Sequence, residues 1–171
     1  EFFKTLKDHF PHFPFLAEDL GTIDEEVEVF RDSFGFLSTR VLAFAFFEPH
    51  STHLPHNHRE NCAVYTTTHD NMPLKDWFVE ELKEEDRNRL FRYLGRKLER
   101  ESVSKELIRL AYMSVAKYCI IPMQDLLNLG KESRMNTPGT AKGNWEWRME
   151  SLPSAQLGLW LLELTESYQR G

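Results

Sequence analysis

The sequence predicts an α/β fold with a parallel sheet, equivalent to about half of a (β/α)8 barrel. Short apolar segments alternate with helical segments along the chain, which is typical of βαβ units. The apolar segments show no polar–apolar alternation, as expected for strands that are covered on both faces. Polar side chains suited to chemistry follow these segments directly, at the strand ends where (β/α)8 barrels carry their active sites. Four strands are predicted: Pro14–Ala17, Thr39–Phe46, Cys62–Thr66 and Val115–Pro122.

The helices are predicted from apolar residues at helical spacing and from residues that begin or end helices. Pro11 ends the first helix, and acidic residues from Asp24 onward favour the first turn of the second. Gly35 ends that second helix, and a long charged helical region has breaks near Gly95 and Ser102. The predicted helical regions are residues 1–10, 24–35, 73–118 and 154–168.

The composition excludes several classes of protein. The 171 residues carry 21 Lys and Arg against 27 Asp and Glu, so a basic nucleic-acid binder is not expected. No apolar run approaches the ~20 residues that span a bilayer, so no membrane partner is expected. Cys62 and Cys119 lie in apolar stretches. This position predicts buried thiols in a reducing compartment, and hence a cytoplasmic protein.

Two carboxylates follow predicted strands and should face the same rim of the sheet. Glu18 comes after the first strand, and Asp70 follows the third. A pair of carboxylates on either side of a sugar can supply the acid–base and charge-stabilising groups of glycoside cleavage. The alternative is structural, since Glu18 or Asp19 and Asp70 could each cap the helix that follows.

The histidines divide into two groups. Four of them lie in one polar loop, at His50, His53, His56 and His58, a spacing that loosely suggests a metal site. That loop contains no cysteine and two prolines, which favours an irregular surface loop, so no metal site is predicted. His69 lies beside Asp70 and could either donate a hydrogen bond to a substrate hydroxyl or serve a structural role.

Aromatic residues are frequent near the predicted rim, where they could stack on sugar rings or simply fill the core. They are Phe44, Phe46, Phe47, Tyr65, Trp77, Trp145 and Trp147. The loop from Gly130 to Asn144 is rich in Gly, Pro and Asn. It has no Lys-Ser/Thr pair after its glycines and no following helix, so it is not a phosphate-binding loop, which leaves a polar binding loop or a plain connector.

Seven short motifs, in this order, carry a specific resemblance. They are Ala17-Glu18-Asp19-Leu20-Gly21, Val41-Leu42-Ala43-Phe44-Ala45-Phe46, Leu54-Pro55-His56-Asn57, Tyr65-Thr66-Thr67-Thr68-His69-Asp70-Asn71, Ile121-Pro122-Met123-Gln124-Asp125, Arg134-Met135-Asn136-Thr137-Pro138-Gly139-Thr140 and Gly143-Asn144-Trp145. Together they resemble the 4-α-glucanotransferases, the amylomaltase or disproportionating-enzyme family of the α-amylase clan. The resemblance implies that residues 1–171 form the C-terminal half of that family's catalytic barrel.

The resemblance also implies roles for individual residues. Glu18 matches the general acid/base, and Asp70 matches the carboxylate that stabilises the transition state. The matching positions for contacts with the sugar are His69, Asn136, Phe44 and Glu48. The family's chemistry is retaining transglycosylation between α-1,4-glucans, and it needs no metal or organic cofactor.

The family's nucleophile is an aspartate in an Arg-x-Asp-His type motif, and this chain has no match to that motif. We therefore expect a truncated or processed piece, inactive alone, whose partners are maltooligosaccharides and the N-terminal half of the same barrel. A half-barrel exposes two sheet edges, so self-association through them is a further expectation. Two other readings stay open: a non-catalytic half-barrel that binds α-glucan or a partner chain, and an α-glucan hydrolase.

Overall fold

The computed structural model describes residues 1–10, 16–21 and 23–170. In this part of the chain the strands are β1 (Ser38–Val41), β2 (Cys62–Tyr65) and β3 (Tyr118–Ile120). The helices are α1 (Phe2–His9), α2 (Glu25–Ser33), α3 (Leu74–Glu80), α4 (Glu84–Leu94), α5 (Val103–Met113), α6 (Met123–Leu126) and α7 (Ala155–Ser167). None of these helices is long and apolar enough to cross a membrane.

The three strands form one parallel sheet in the order β1-β2-β3. Val41 lies opposite Tyr65, and Tyr65 lies opposite Ile120, so the carboxyl ends of the strands finish at a common edge. Helices α3, α4 and α5 lie in the chain between β2 and β3, as a parallel crossover requires. The predicted α/β fold with a parallel sheet is therefore confirmed.

The strand boundaries differ from the prediction at three places. The segment predicted as strand 39–46 ends at Val41 and continues as a 3-10 turn over Leu42–Phe44, because the Ala45 N–H bonds back to the Leu42 carbonyl at 3.0 Å. The last strand is shorter than predicted, at Tyr118–Ile120. Half of the first predicted strand, residues 14 and 15, lies outside the described residues, and Leu16 makes a single parallel bridge to Leu37.

The predicted helical regions are confirmed, although the region 73–118 ends at Met113, and Pro11, predicted to end the first helix, lies outside the described residues. Asp24 caps α2 by accepting a hydrogen bond from the Val27 N–H at 2.9 Å. Gly95 ends α4 at a φ of +71°, a left-handed conformation that glycine adopts without steric cost. The break near Ser102 separates α4 from α5, and a further break at 81–83 separates α3 from α4.

The core lies between the sheet and helices α3, α4 and α5. Its fully buried members include Val41, Leu42, Phe46, Val64, Leu74, Trp77, Leu90, Val103 and Leu107. The apolar faces of the helices thus cover one side of the sheet and hold the carboxyl ends of β1 and β2 in place.

Candidate active site

The loop after β2 carries His69 and Asp70, and a buried carboxylate fixes both of its ends. Asp125 accepts hydrogen bonds from the hydroxyls of Thr66 and Thr67, each at 2.6 Å. Its other oxygen accepts the N–H of Leu74, the first residue of α3, at 2.8 Å. Burial raises the pKa of Asp125, and these three hydrogen bonds act in the opposite direction.

Hydrogen bonds inside this loop turn the Asp70 side chain outward. Asn71 Oδ1 accepts from both the N–H and the hydroxyl of Thr68, at 2.8 and 2.9 Å. The Thr68 hydroxyl in turn accepts the Asp70 N–H at 3.3 Å. The Asp70 side chain is 45% exposed, so its carboxylate is accessible to a ligand.

Asp70, His69 and Asn136 form one cluster. Asn136 Nδ2 donates to Asp70 Oδ1 at 2.6 Å, and His69 Nε2 lies 3.3 Å from the same oxygen. The backbone supports the contact, because the Asn136 N–H donates to the His69 carbonyl at 3.0 Å. Arg134 also donates to the Asp70 carbonyl at 2.6 Å. Within the described residues Asp70 Oδ2 has no hydrogen-bond partner, so it is free to bind a ligand.

A cleft of about 600 Å³ lies beside this cluster. It collects three of the predicted site residues, Phe44, Glu48 and Asp70, on a common wall. The rest of its lining is Leu20, Gly21, Phe47, Ser51, His53, Thr68 and Asn71. The ring of Phe44 packs edge-on against His53, with 5.5 Å between ring centroids. The cleft thus combines an aromatic face with carboxylates, a combination suited to sugar binding.

Glu18 is exposed and lies at the same edge of the sheet. It follows the bridge between Leu16 and Leu37, and so comes from a segment parallel to β1. Burial raises the pKa of Tyr65, and the nearby Glu18 carboxylate raises it further. Glu18 is therefore close to the carboxyl end of β2, although it does not line the cleft that contains Asp70.

The neighbouring Asp19 has the opposite environment. It is buried, and its carboxylate binds Arg31 Nη1 at 2.6 Å and the Thr39 N–H at 2.5 Å. Arg40 lies 3.5 Å from the same group. Asp19 therefore joins α2 to β1, and Glu18 is the accessible carboxylate of the pair.

The alternative in which these carboxylates are helix caps is wrong. Asp24 caps α2, so neither Glu18 nor Asp19 does. The N–H at the start of α3 bonds to Asp125, so Asp70 does not cap that helix.

The sequence placed Trp145 among the aromatic residues near the rim but assigned it no role in the site. Its ring lies 5.1 Å from the ring of His69, and its side chain is 54% exposed. Its φ of +64° is rare for a residue with a Cβ, and its N–H is fixed by the Met135 carbonyl at 2.6 Å. Asn144 closes the loop before it by accepting the Thr137 N–H at 2.8 Å. The Gly143-Asn144 pair before Trp145 is the sequence feature that indicates a tight turn at this residue.

Within the described residues no group of three or more His, Cys, Asp or Glu side chains could hold a metal ion. Three histidines of the polar loop have separate partners. His53 Nδ1 accepts the Val41 N–H at 3.0 Å, and His56 stacks on Tyr93. His58 bonds to the Ser114 hydroxyl at 2.7 Å and to the His53 carbonyl at 2.9 Å.

Mild acid should destabilise the fold through His53 and His58. Burial lowers the pKa of each from 6.5 to about 4. Because the pKa of each histidine is lower in the folded state, the unfolded chain binds protons more readily. The free energy of unfolding is therefore highest above pH 6.5 and decreases as the pH falls toward 4. Between pH 7 and 5.5 the free energy of unfolding should drop by about 1 kcal/mol per histidine. Denaturant unfolding at several pH values measures this, and His58→Gln should halve the slope. A slope that His58→Gln leaves unchanged would contradict the assignment.

The family model for 4-alpha-glucanotransferase matches residues 1–154. The chain therefore belongs to the 4-alpha-glucanotransferase family. It is 55% identical over 148 residues to the 4-alpha-glucanotransferase of Aquifex aeolicus, covering 86% of this chain and 30% of that protein. It is 46% identical over 140 residues to the chloroplastic/amyloplastic enzyme of Solanum tuberosum, covering 81% of this chain and 24% of that protein.

A solved structure of the same class has the same fold. The amylomaltase from Streptococcus agalactiae in complex with acarbose superposes with a TM-score of 0.90 at 37% identity. The match covers 99% of this chain and 34% of that one. The chain thus spans about a third or less of the length of these relatives.

Proposed function

We propose that residues 1–171 are the C-terminal half of the catalytic barrel of a 4-α-glucanotransferase, which transfers α-1,4-glucan segments between maltooligosaccharides. The observation that carries the proposal is the Asp70–Asn136–His69 cluster beside a cleft lined by Phe44 and Glu48. Family membership supports this class of chemistry, and this cluster supplies a carboxylate held in one orientation.

In this proposal Glu18 is the general acid and base. It first protonates the glycosidic oxygen of the leaving glucan and then removes a proton from the 4-hydroxyl of the incoming glucan. Its exposure at the strand end supports the role, because the carboxyl must reach substrate on both steps. Asp19 cannot share the role, because Arg31 and the Thr39 N–H occupy its carboxylate.

Asp70 stabilises the transition state and holds sugar hydroxyls. Asn136 and His69 contact one oxygen of its carboxylate, which fixes the group before substrate arrives. The other oxygen accepts hydrogen bonds from the sugar, and the negative charge stabilises the oxocarbenium-like transition state. His69, Asn136, Phe44 and Glu48 complete the sugar contacts, with Phe44 offering a ring face to a pyranose.

The nucleophile comes from the rest of the barrel. A retaining mechanism needs a carboxylate that forms the glycosyl-enzyme, and the N-terminal half supplies it. The reaction needs no cofactor, since proton transfer activates the leaving group. We place the enzyme in the cytoplasm, while noting that the potato relative is named as chloroplastic/amyloplastic.

The self-association expected from exposed sheet edges stays a prediction. At the outer edge of β1 two backbone donors are already occupied. The Thr39 N–H bonds to Asp19, and the Val41 N–H bonds to His53. These side chains leave the β1 edge with fewer free backbone donors for a second copy.

The test is the redistribution of maltotriose into glucose and longer oligosaccharides. It compares this chain alone with the complete enzyme, meaning this chain joined to the rest of the barrel. The complete enzyme is either the natural polypeptide or a chimera in which this chain replaces the matching segment of the Aquifex aeolicus relative. We expect redistribution only from the complete enzyme.

Other outcomes contradict the proposal in distinct ways. Redistribution by this chain alone would show that the nucleophile lies within it. Hydrolysis without longer products would indicate an α-glucan hydrolase, in which water reaches the glycosyl-enzyme. Glucan binding without turnover in the complete enzyme would indicate a binding module.

A further inference from the structure

We propose that His53 is a glucan-binding residue, which donates a hydrogen bond from Nε2 to a sugar hydroxyl in the cleft. The inference rests on the proposed function, because its ligand is the same glucan. It adds a residue of the polar histidine loop to a site otherwise built from strand ends. No contact of His53 with substrate follows from the motifs in the sequence.

The position of His53 is set by the end of β1. Its Nδ1 accepts the N–H of Val41, the last residue of that strand, at 3.0 Å. An imidazole nitrogen that accepts a hydrogen bond carries no proton, so in the neutral ring the proton is on Nε2. The strand thereby fixes both the ring orientation and the tautomer.

The free nitrogen is accessible from the cleft. His53 lines the cleft that also contains Asp70 and Glu48. In the described part of the chain, Nε2 of His53 has no hydrogen-bond partner. Of the buried side-chain nitrogen and oxygen atoms there, only Trp77 Nε1 lacks a partner, so Nε2 of His53 is not sealed in the core. A donor that is accessible and unpaired in a sugar-sized cleft is suited to a hydroxyl.

The charge state fits an uncharged ligand. Burial lowers the pKa of His53 to about 4, and the positive charge of Arg40 contributes. The ring is therefore neutral near pH 7 and donates one hydrogen bond without adding a cation beside Asp70. The edge-on contact with Phe44 at 5.5 Å also places the donor next to a ring that can stack on the same sugar.

The test measures maltotriose binding by calorimetry in the complete enzyme with Glu18→Gln, which slows turnover about 10³-fold. His53→Asn keeps an acceptor where Nδ1 lies and removes the donor. His53→Gln keeps a donor near the position of Nε2 and loses that acceptor. We expect the Asn variant to bind maltotriose about 10-fold more weakly with an unchanged unfolding midpoint, and the Gln variant to bind within about 3-fold of the parent.

Monodeoxy maltotrioses then identify the hydroxyl. In the parent, one analogue should bind about 10-fold more weakly than maltotriose, and in the Asn variant that analogue and maltotriose should bind equally. His56→Asn is the matched control, since His56 stacks on Tyr93 in the same loop and does not line the cleft. It should leave every affinity unchanged.

Two results would overturn the inference alone. One is a His53→Asn variant that binds maltotriose as the parent does. The other is a parent that binds all deoxy analogues equally. If the Asn variant fails to fold, the Gln variant decides, because it should retain the parent's discrimination between analogues. A parent that binds no maltotriose overturns the proposed function and this inference together.

Discussion

Glu18→Gln in the complete enzyme should lower kcat for maltotriose redistribution by about 10³-fold while leaving the unfolding midpoint unchanged. Glutamine has nearly the shape of glutamate but can neither give a proton to the leaving oxygen nor take one from the acceptor. Glu18 is exposed and makes no ion pair within the described residues, so its loss should not disturb packing. Steady-state kinetics and denaturant unfolding of the same preparation measure both quantities.

The adjacent carboxylate provides the control. Asp19→Asn should weaken the buried contact with Arg31 and lower the free energy of unfolding by about 3 kcal/mol. Folded Asp19→Asn enzyme should keep most of its kcat. If the two phenotypes were exchanged, with Glu18→Gln destabilised and Asp19→Asn inactive but stable, the assignment of the acid/base to Glu18 would be wrong.

The fold was predictable because its strongest signals are local. The segment at 62–66 and helices α2 and α4 have apolar runs, caps and glycine stops that act within a few residues. The end of β1 was not predictable. The apolar run continues past Val41 into a buried 3-10 turn, and burial gives a turn the same composition as a strand.

The candidate site was predictable where its members directly follow strands or are neighbours in sequence. His69 and Asp70 are adjacent, and their position after a strand predicts that they lie at the carboxyl edge of the sheet. Asn136 lies 66 residues from Asp70, and only the resemblance to a known family selected it. The contact of Asn136 with Asp70 depends on the loop after α6, and the sequence of this loop has neither helical nor strand periodicity.

His53 illustrates what sequence patterns leave out. Four histidines in one loop have similar neighbours in the sequence, and the partners of three of them come from distant elements. His53 contacts the end of β1, His56 contacts α4 through Tyr93, and His58 reaches Ser114 after α5. Glu18 and Asp19 are also adjacent carboxylates that the sequence does not distinguish. The contacts of Asp19 with Arg31 and β1 separate their roles.

The largest effect on stability is expected at Asp125. Asp125→Ala should lower the free energy of unfolding of the complete enzyme by about 3–5 kcal/mol, because it leaves three buried donors without an acceptor. The same change frees the loop between β2 and α3, so kcat of the folded fraction should fall by about 10²-fold through displacement of Asp70. Denaturant unfolding and kinetics measure the two effects.

A second buried aspartate separates these effects. Asp86 on α4 accepts hydrogen bonds from the Lys83 N–H and from Arg89, away from the loop that carries Asp70. Asp86→Ala should cost about 1 kcal/mol of stability and leave kcat intact. Asp125→Asn should recover part of the stability, since its side-chain oxygen can still accept from Leu74. If Asp125→Ala lost stability but kept full kcat, Asp125 would hold the fold without positioning Asp70, and the rigidity of the loop that carries Asp70 would come from its other contacts, with Asn71, Thr68, Arg134 and Asn136.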